Sequence, residues 1–133
     1  MRASWPAYLW ASPVTVLGLL FAVLAWVSRG RVARVRGVIE AHGGLVTWLL
    51  ERAVPLAGGA EALALGHVIL GRSAASFERW REHERVHVRQ YERWGVVLLP
   101  AYAVASLWMW LRGRDAYRDN PFEREAYRRL RGH

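Results

Sequence analysis

The sequence predicts an α+β chain, mainly helical. An N-terminal transmembrane helix leads into a small strand-helix-strand unit, a helix carrying H-E-x-x-H, an apolar helix and a short helix carrying a glutamate. Three observations predict this. Trp5 to Val27 is almost wholly apolar and long enough for a hydrocarbon core of ~30 Å. The stretch Trp80 to Tyr91 repeats with the 3.6-residue helical period. Between these two lie short apolar runs bounded by glycine and proline, the pattern of strands and turns. The chain divides into a membrane anchor, residues 1–28, and a minimal domain, residues 29–133.

At 133 residues the chain is large enough for one small domain. It has no cysteine, which excludes disulfides and thiolate metal ligands, so a zinc site must use histidine and carboxylate. The formal net charge is +8, and all 19 basic residues are arginines. They are spread along the chain and many alternate with glutamates, which argues for no nucleic acid and for an anionic lipid surface as partner. Eight tryptophans, several flanking apolar runs, also suit membrane interfaces.

In the anchor, Ser12-Pro13 reads as N-cap and first helical residue, so the regular helix is expected from Pro13 to Val27. A cleaved signal peptide is the rival, but the n-region holds only Arg2 and no A-x-A site follows. Arg29, Arg31, Arg34 and Arg36 crowd the far flank, which places that flank and the following domain in the cytoplasm by the positive-inside rule. Val32 to Ala41 reads as a strand and His42-Gly43-Gly44 as a turn. Leu45 to Val54 reads as a short helix closed by Pro55 and Gly58-Gly59, and Ala62 to Leu70 as a second strand. Ser73 or Ser76 can cap the helix that follows. His67 lies in the second strand, where a solvated or neighbour-satisfied histidine is the bland expectation. His42 and His133 receive no role.

That helix carries His83, Glu84 and His87 as H-E-x-x-H. At about 100° per residue, Trp80, His83, His87, Tyr91 and Trp94 share one arc, with Glu84 at its edge and Gln90 just beyond the other side. Glu78, Arg81, Glu82, Arg85, Arg89, Glu92 and Arg93 fill the opposite arc. Histidines at i and i+4 on a buried face can converge on one metal, and Glu84 can then reach a metal-bound water as general base. The bland alternative is a chance match on an amphipathic helix, so a third ligand is needed.

Gly95 to Leu111 is the second apolar run. Gly95 suits a helix C-cap and Pro100 the first turn of a new helix. A helix from Pro100 to Arg112 is roughly 20 Å long, short of a ~30 Å core, and is expected to lie at the interface or against the anchor. After it, Asn120 is a good N-cap and Pro121 a good first residue. Glu123 can serve as a capping-box residue, yet it falls on the apolar face with Phe122, Ala126, Tyr127 and Leu130. A carboxylate in an apolar stripe needs a partner, and a metal is one. Glu125 falls on the other side, near Arg124 and Arg128, and stands as the second candidate.

With both motifs the chain resembles the gluzincin metallopeptidases, over roughly Ala62 to Tyr127. The likeness is closest to minimal membrane-associated members and to the group with a downstream E-x-x-A-D pattern, such as the CAAX prenyl proteases. The resemblance implies Zn2+ held by His83, His87 and Glu123, Glu84 as base, and Gln90 as the extension of the motif. It also implies that Ala62–Leu70 is the edge strand that takes an extended peptide or protein substrate by β-addition. Tyr127 departs from the pattern, since it stands where that group has an aspartate that orients a ligand histidine. Asp119 and Asp115 are the substitutes, and Tyr117, Tyr127 and His67 are the candidates for stabilising an oxyanion. The expected function is a membrane-anchored zinc endopeptidase. The alternative is a non-catalytic zinc-containing protein or an adaptor on anionic membranes.

Overall fold

A computed structural model describes residues 5–53 and 59–131, apart from the side chains of residues 7, 130 and 131. Arg2, Val54, Pro55, Gly58, His133 and the Leu130 side chain therefore lie outside the described residues. The elements follow as α1 (Trp5–Val27), β1 (Arg31–Val35), β2 (Val38–His42), α2 (Gly44–Arg52), β3 (Ala62–Leu65), β4 (Val68–Gly71) and α3 (Ala74–Trp94). A 3-10 turn (Gly95–Val97), α4 (Leu98–Leu111) and α5 (Pro121–Arg131) complete the chain. The α+β, mainly helical class holds.

Each strand expected from the sequence is instead a hairpin. Val32–Ala41 folds back at Arg36-Gly37, where both residues have positive φ, 48° and 80°. That pair of left-handed residues makes a two-residue turn whose twist matches the flanking strands. Ala62–Leu70 folds back at Gly66-His67, so His67 sits in a turn and His42 ends β2. The four strands form one sheet in the order β1-β2-β4-β3. β2 and β4 pair in parallel, with α2 between them in sequence, and each carries an antiparallel outer partner. The expected strand-helix-strand unit is thus β2-α2-β4 with a hairpin partner added on each side. Only β3, residues Ala62–Leu65, occupies that edge of the sheet; Val68–Gly71 is interior.

α1 runs unbroken through Pro13, against the expected start at Ser12-Pro13. Proline removes the N–H that would bond the Leu9 carbonyl. The Ser12 hydroxyl donates to that carbonyl at 2.7 Å and fills the gap. Ala11, Val14, Ala22 and Ala25 form a buried stripe that joins the sheet residues Val68, Ile69 and Leu70 in one core. Gly18 belongs to the same stripe: a Cβ there would lie 2.7 Å from Val68 Cβ, so only glycine permits the approach. The segment Tyr8–Val27, and the apolar part of the continuous helical stretch Ala74–Leu111, are each long and apolar enough to cross a membrane.

Ser73 stands at the N-cap of α3 in extended conformation without a side-chain cap bond. Ser76 donates to Glu61 instead. Gly95 closes the helix at φ 60°, as its position predicts. Arg81, on the arc opposite the histidines, reaches β2: its guanidinium donates to both oxygens of buried Glu40 at 2.6 and 2.8 Å. This fork locks α3 across the sheet. Asn120 caps α5, accepting the Phe122 N–H at 2.9 Å, and its amide donates to the Tyr102 carbonyl and the Ser106 hydroxyl of α4. One side chain therefore joins α4 to α5.

Candidate metal centre

α3 brings His83 and His87 one turn apart, with ring centroids 5.0 Å from each other. α5 crosses this face. Glu123 Oε1 lies 2.9 Å from His83 Nε2 and 3.0 Å from His87 Nε2, so both imidazoles point at one carboxylate oxygen. All three residues and Glu84 are buried. One ligand atom from each of His83, Glu84 and His87 falls within 4.8 Å of the others, so this group could hold a metal ion. The chemistry of the donors fits: two nitrogen donors and a carboxylate converge in a dry site.

The surroundings fix the donors. Gln90 Oε1 faces His87 Nδ1 at 2.8 Å, and its amide donates to the Phe122 carbonyl and to Glu125 Oε1 at 2.7 Å. A carbonyl can only accept, so Nδ1 of His87 carries the proton and Nε2 is left to face the centre. Glu125 is taken up by Gln90, Arg93 and Arg129. It makes no bond to either histidine. Tyr102 of α4 donates to Glu123 Oε2 at 2.6 Å. Tyr102 lies within an apolar run and is not among the site residues expected from the sequence. Its i+4 partner Ser106 faces the same way, and this polar pair on an otherwise apolar helix was the available signal.

Glu84 accepts a hydrogen bond from the Ala64 N–H. The β3–β4 hairpin closes on the pair Leu65–Val68, so the peptide groups of Ala62 and Ala64 turn outward to the free edge. The edge of β3 thus runs beside the H-E-x-x-H helix. Burial raises the Glu84 pKa, opposed by the charges of His87 and His83. Burial also opposes charge on His87 and Glu123, but hydrogen bonding prevails: the bond to Glu123 lifts His87 to about 9, and the bonds to His83 and then His87 hold Glu123 at about 2. Without metal the pair is imidazolium and carboxylate.

Tyr127, in the place of the expected aspartate, lays its ring 4.6 Å from the His83 ring. His83 Nδ1 is buried and has no hydrogen-bond partner among the described residues. Neither Asp115 nor Asp119 fills that role: Asp115 accepts from the Tyr117 and Arg118 backbone, and Asp119 from the Asp115 backbone. The Tyr117 side chain hydrogen-bonds Tyr127, and burial followed by the Glu123 charge raises its pKa. His67 contacts Glu92 at 2.8 Å and stacks on Tyr8. Glu92 lies about 180° around α3 from His83, so His67 is remote from the centre. His42 packs edge-on against Phe77. A groove of about 960 Å3 runs along α5 and shares Arg93, Phe122, Glu125 and Tyr127 with the site's surroundings.

No family model, curated protein or solved structure matches the chain.

Proposed function

We propose that the chain is a membrane-associated zinc endopeptidase acting at the cytoplasmic face. The observation that carries this reading is the convergence of His83 Nε2 and His87 Nε2 on Glu123 Oε1 with Glu84 buried beside them. A zinc ion held by His83, His87 and Glu123 would supply a Lewis acid that polarises a scissile carbonyl and acidifies water. Glu84 then takes the proton of the attacking water and delivers it to the leaving amine. Its raised pKa suits a base that must also act as an acid. Tyr102 holds the second oxygen of Glu123, leaving the first for the metal. An extended peptide can pair with the outward peptide group of Ala62 and the outward carbonyl of Ala64, whose N–H is held by Glu84. The arginines after both apolar runs suit the anionic lipids of a cytoplasmic leaflet.

A second reading is a metal site without hydrolysis. The unpartnered Nδ1 of His83 favours it, because catalytic ligand histidines ordinarily donate that proton to a fixed acceptor. Glu84 separates the two, since a purely structural site has no use for a base. Metal analysis of the purified chain, followed by peptide-library cleavage with wild type and Glu84→Gln, tests both. The peptidase reading expects about one zinc per chain in each, and a 10²–10⁴-fold slower cleavage by the variant. Equal cleavage by both removes Glu84 from the mechanism, and absence of metal removes the proposal.

A further inference from the structure

α1 touches the domain from end to end. Near its start Tyr8 donates to the Gly37 carbonyl. At mid-length Thr15 accepts the His67 N–H at 3.0 Å. Past its end Ser28 accepts the Leu45 N–H at 2.9 Å. At 1.5 Å per residue α1 is roughly 33 Å long, the thickness of a hydrocarbon core. A helix standing across the membrane would therefore carry its whole packed flank into hydrocarbon. That flank includes Arg36 next to Gly37, ion-paired with Glu82 of α3 and exposed. Charged groups in the hydrocarbon region are strongly disfavoured.

Among the described residues, nothing covers the opposite face of α1. Leu9, Leu20, Val23 and Trp26 are 64, 63, 58 and 69 % exposed. This apolar surface continues into α4. Trp10 of α1 donates to the Arg93 carbonyl at the end of α3, and its indole covers Gly95. The 3-10 turn beyond exposes Val96 and Val97, and α4 exposes Trp108 and Trp110. Leu98 is the single buried residue described in α4. Of the eight tryptophans, seven are exposed. Arginines border the surface: Arg29, Arg31 and Arg34 follow α1, and Arg112, Arg114 and Arg118 follow α4. None of these six makes an ion pair among the described residues.

We infer that the outer face of α1, the 3-10 turn and α4 form one surface that lies in the plane of an anionic bilayer, sunk into a single leaflet, with neither helix crossing. Amphipathic anchors of this kind combine buried apolar area with cations that meet lipid phosphates. α1 has one face on the core and one in lipid, which explains how a uniformly apolar helix can also carry a stripe of small buried residues.

Single cysteines replacing Pro6, Arg31 and Arg114 in the full chain test the geometry, because the native chain has none. Impermeant maleimide is applied to intact bacterial cells and to lysed ones. All three positions should react alike, protected together or labelled together. A difference between positions 6 and 31, or between 31 and 114, overturns the inference. The purified chain should also sediment with phosphatidylglycerol vesicles. Trp108→Asp with Trp110→Asp should weaken this at least 10-fold, and Leu20→Asp on α1 should weaken it independently. Unchanged sedimentation of the Trp108/Trp110 pair or of Leu20→Asp, with circular dichroism unaltered, overturns it equally. Neither readout depends on zinc or hydrolysis, so the outcome is separate from that of the peptidase reading.

Discussion

Gln90 Oε1 lies 2.8 Å from His87 Nδ1, while the amide of the same side chain holds α5 through Phe122 and Glu125. One residue thus sets the tautomer of a candidate ligand and the position of the helix that bears Glu123. Gln90→Leu should weaken metal binding by about 10–100-fold and destabilise the chain by roughly 1–3 kcal/mol through its stranded partners. Chelator competition and thermal denaturation measure the two effects. Wild-type metal affinity in the variant would show that Gln90 does not orient His87.

Glu123 and Glu125 stand on the same helix two residues apart, but only Glu123 meets the histidines. Glu123→Ala should abolish stoichiometric metal binding. Glu125→Ala should retain metal and lose only its contacts with Gln90, Arg93 and Arg129. Equal metal content in the two variants contradicts this assignment.

The metal-free chain should have a stability plateau between the ordinary pKa values of the two groups, 4.5 and 6.5. His87, lifted to about 9, contributes fully below its ordinary 6.5, and that contribution is lost as pH rises through about 9. Glu123, held at about 2, contributes above its ordinary 4.5, and that contribution is lost as pH falls toward 2. Thermal melts of the chelated protein across pH check both limbs. At pH 7, metal must displace the His87 proton, so uptake should release protons. Calorimetry in buffers of different ionisation enthalpy reads that release, and buffer-independent heats argue against it.

Arg81→Met should be destabilising by about 3 kcal/mol, because it leaves buried Glu40 without its counter-ion. The partial exposure of Arg81 places this at the low end of the usual range. Adding Glu40→Leu should recover much of the loss, since a buried pair can often be replaced by apolar side chains. Denaturant unfolding of the single and double variants decides it. A double variant no more stable than the single one would mean that the pair specifies packing rather than offsetting charge.

Local patterns proved the most legible. The arc shared by His83, His87 and Tyr91 appears on the buried face, Gly95 ends α3, and Asn120 caps α5. Each is decided within a turn or two of chain. The hairpins were hidden because Arg36-Gly37 and Gly66-His67 interrupt their apolar runs without the Asn-Gly signature. Pro13 looked like a helix start because the hydroxyl that repairs its missing bond is visible only in three dimensions. Arg81 lies on the arc opposite the histidines, and its partner Glu40, 41 residues away, is invisible to the local pattern. Tyr102 escaped for the same reason, its contact with Glu123 spanning 21 residues.

The 40-residue separation of His83 and Glu123 also has a consequence for synthesis. At roughly 5–20 residues per second, the histidines leave the decoding centre roughly 2–8 s before Glu123 is added. During that interval the imidazoles lack the carboxylate on which they converge, and α4, which supplies Tyr102, is made in the meantime. The three-residue set can therefore come together only after α4 has been translated, so the apolar helix is made before the chain can close around a metal.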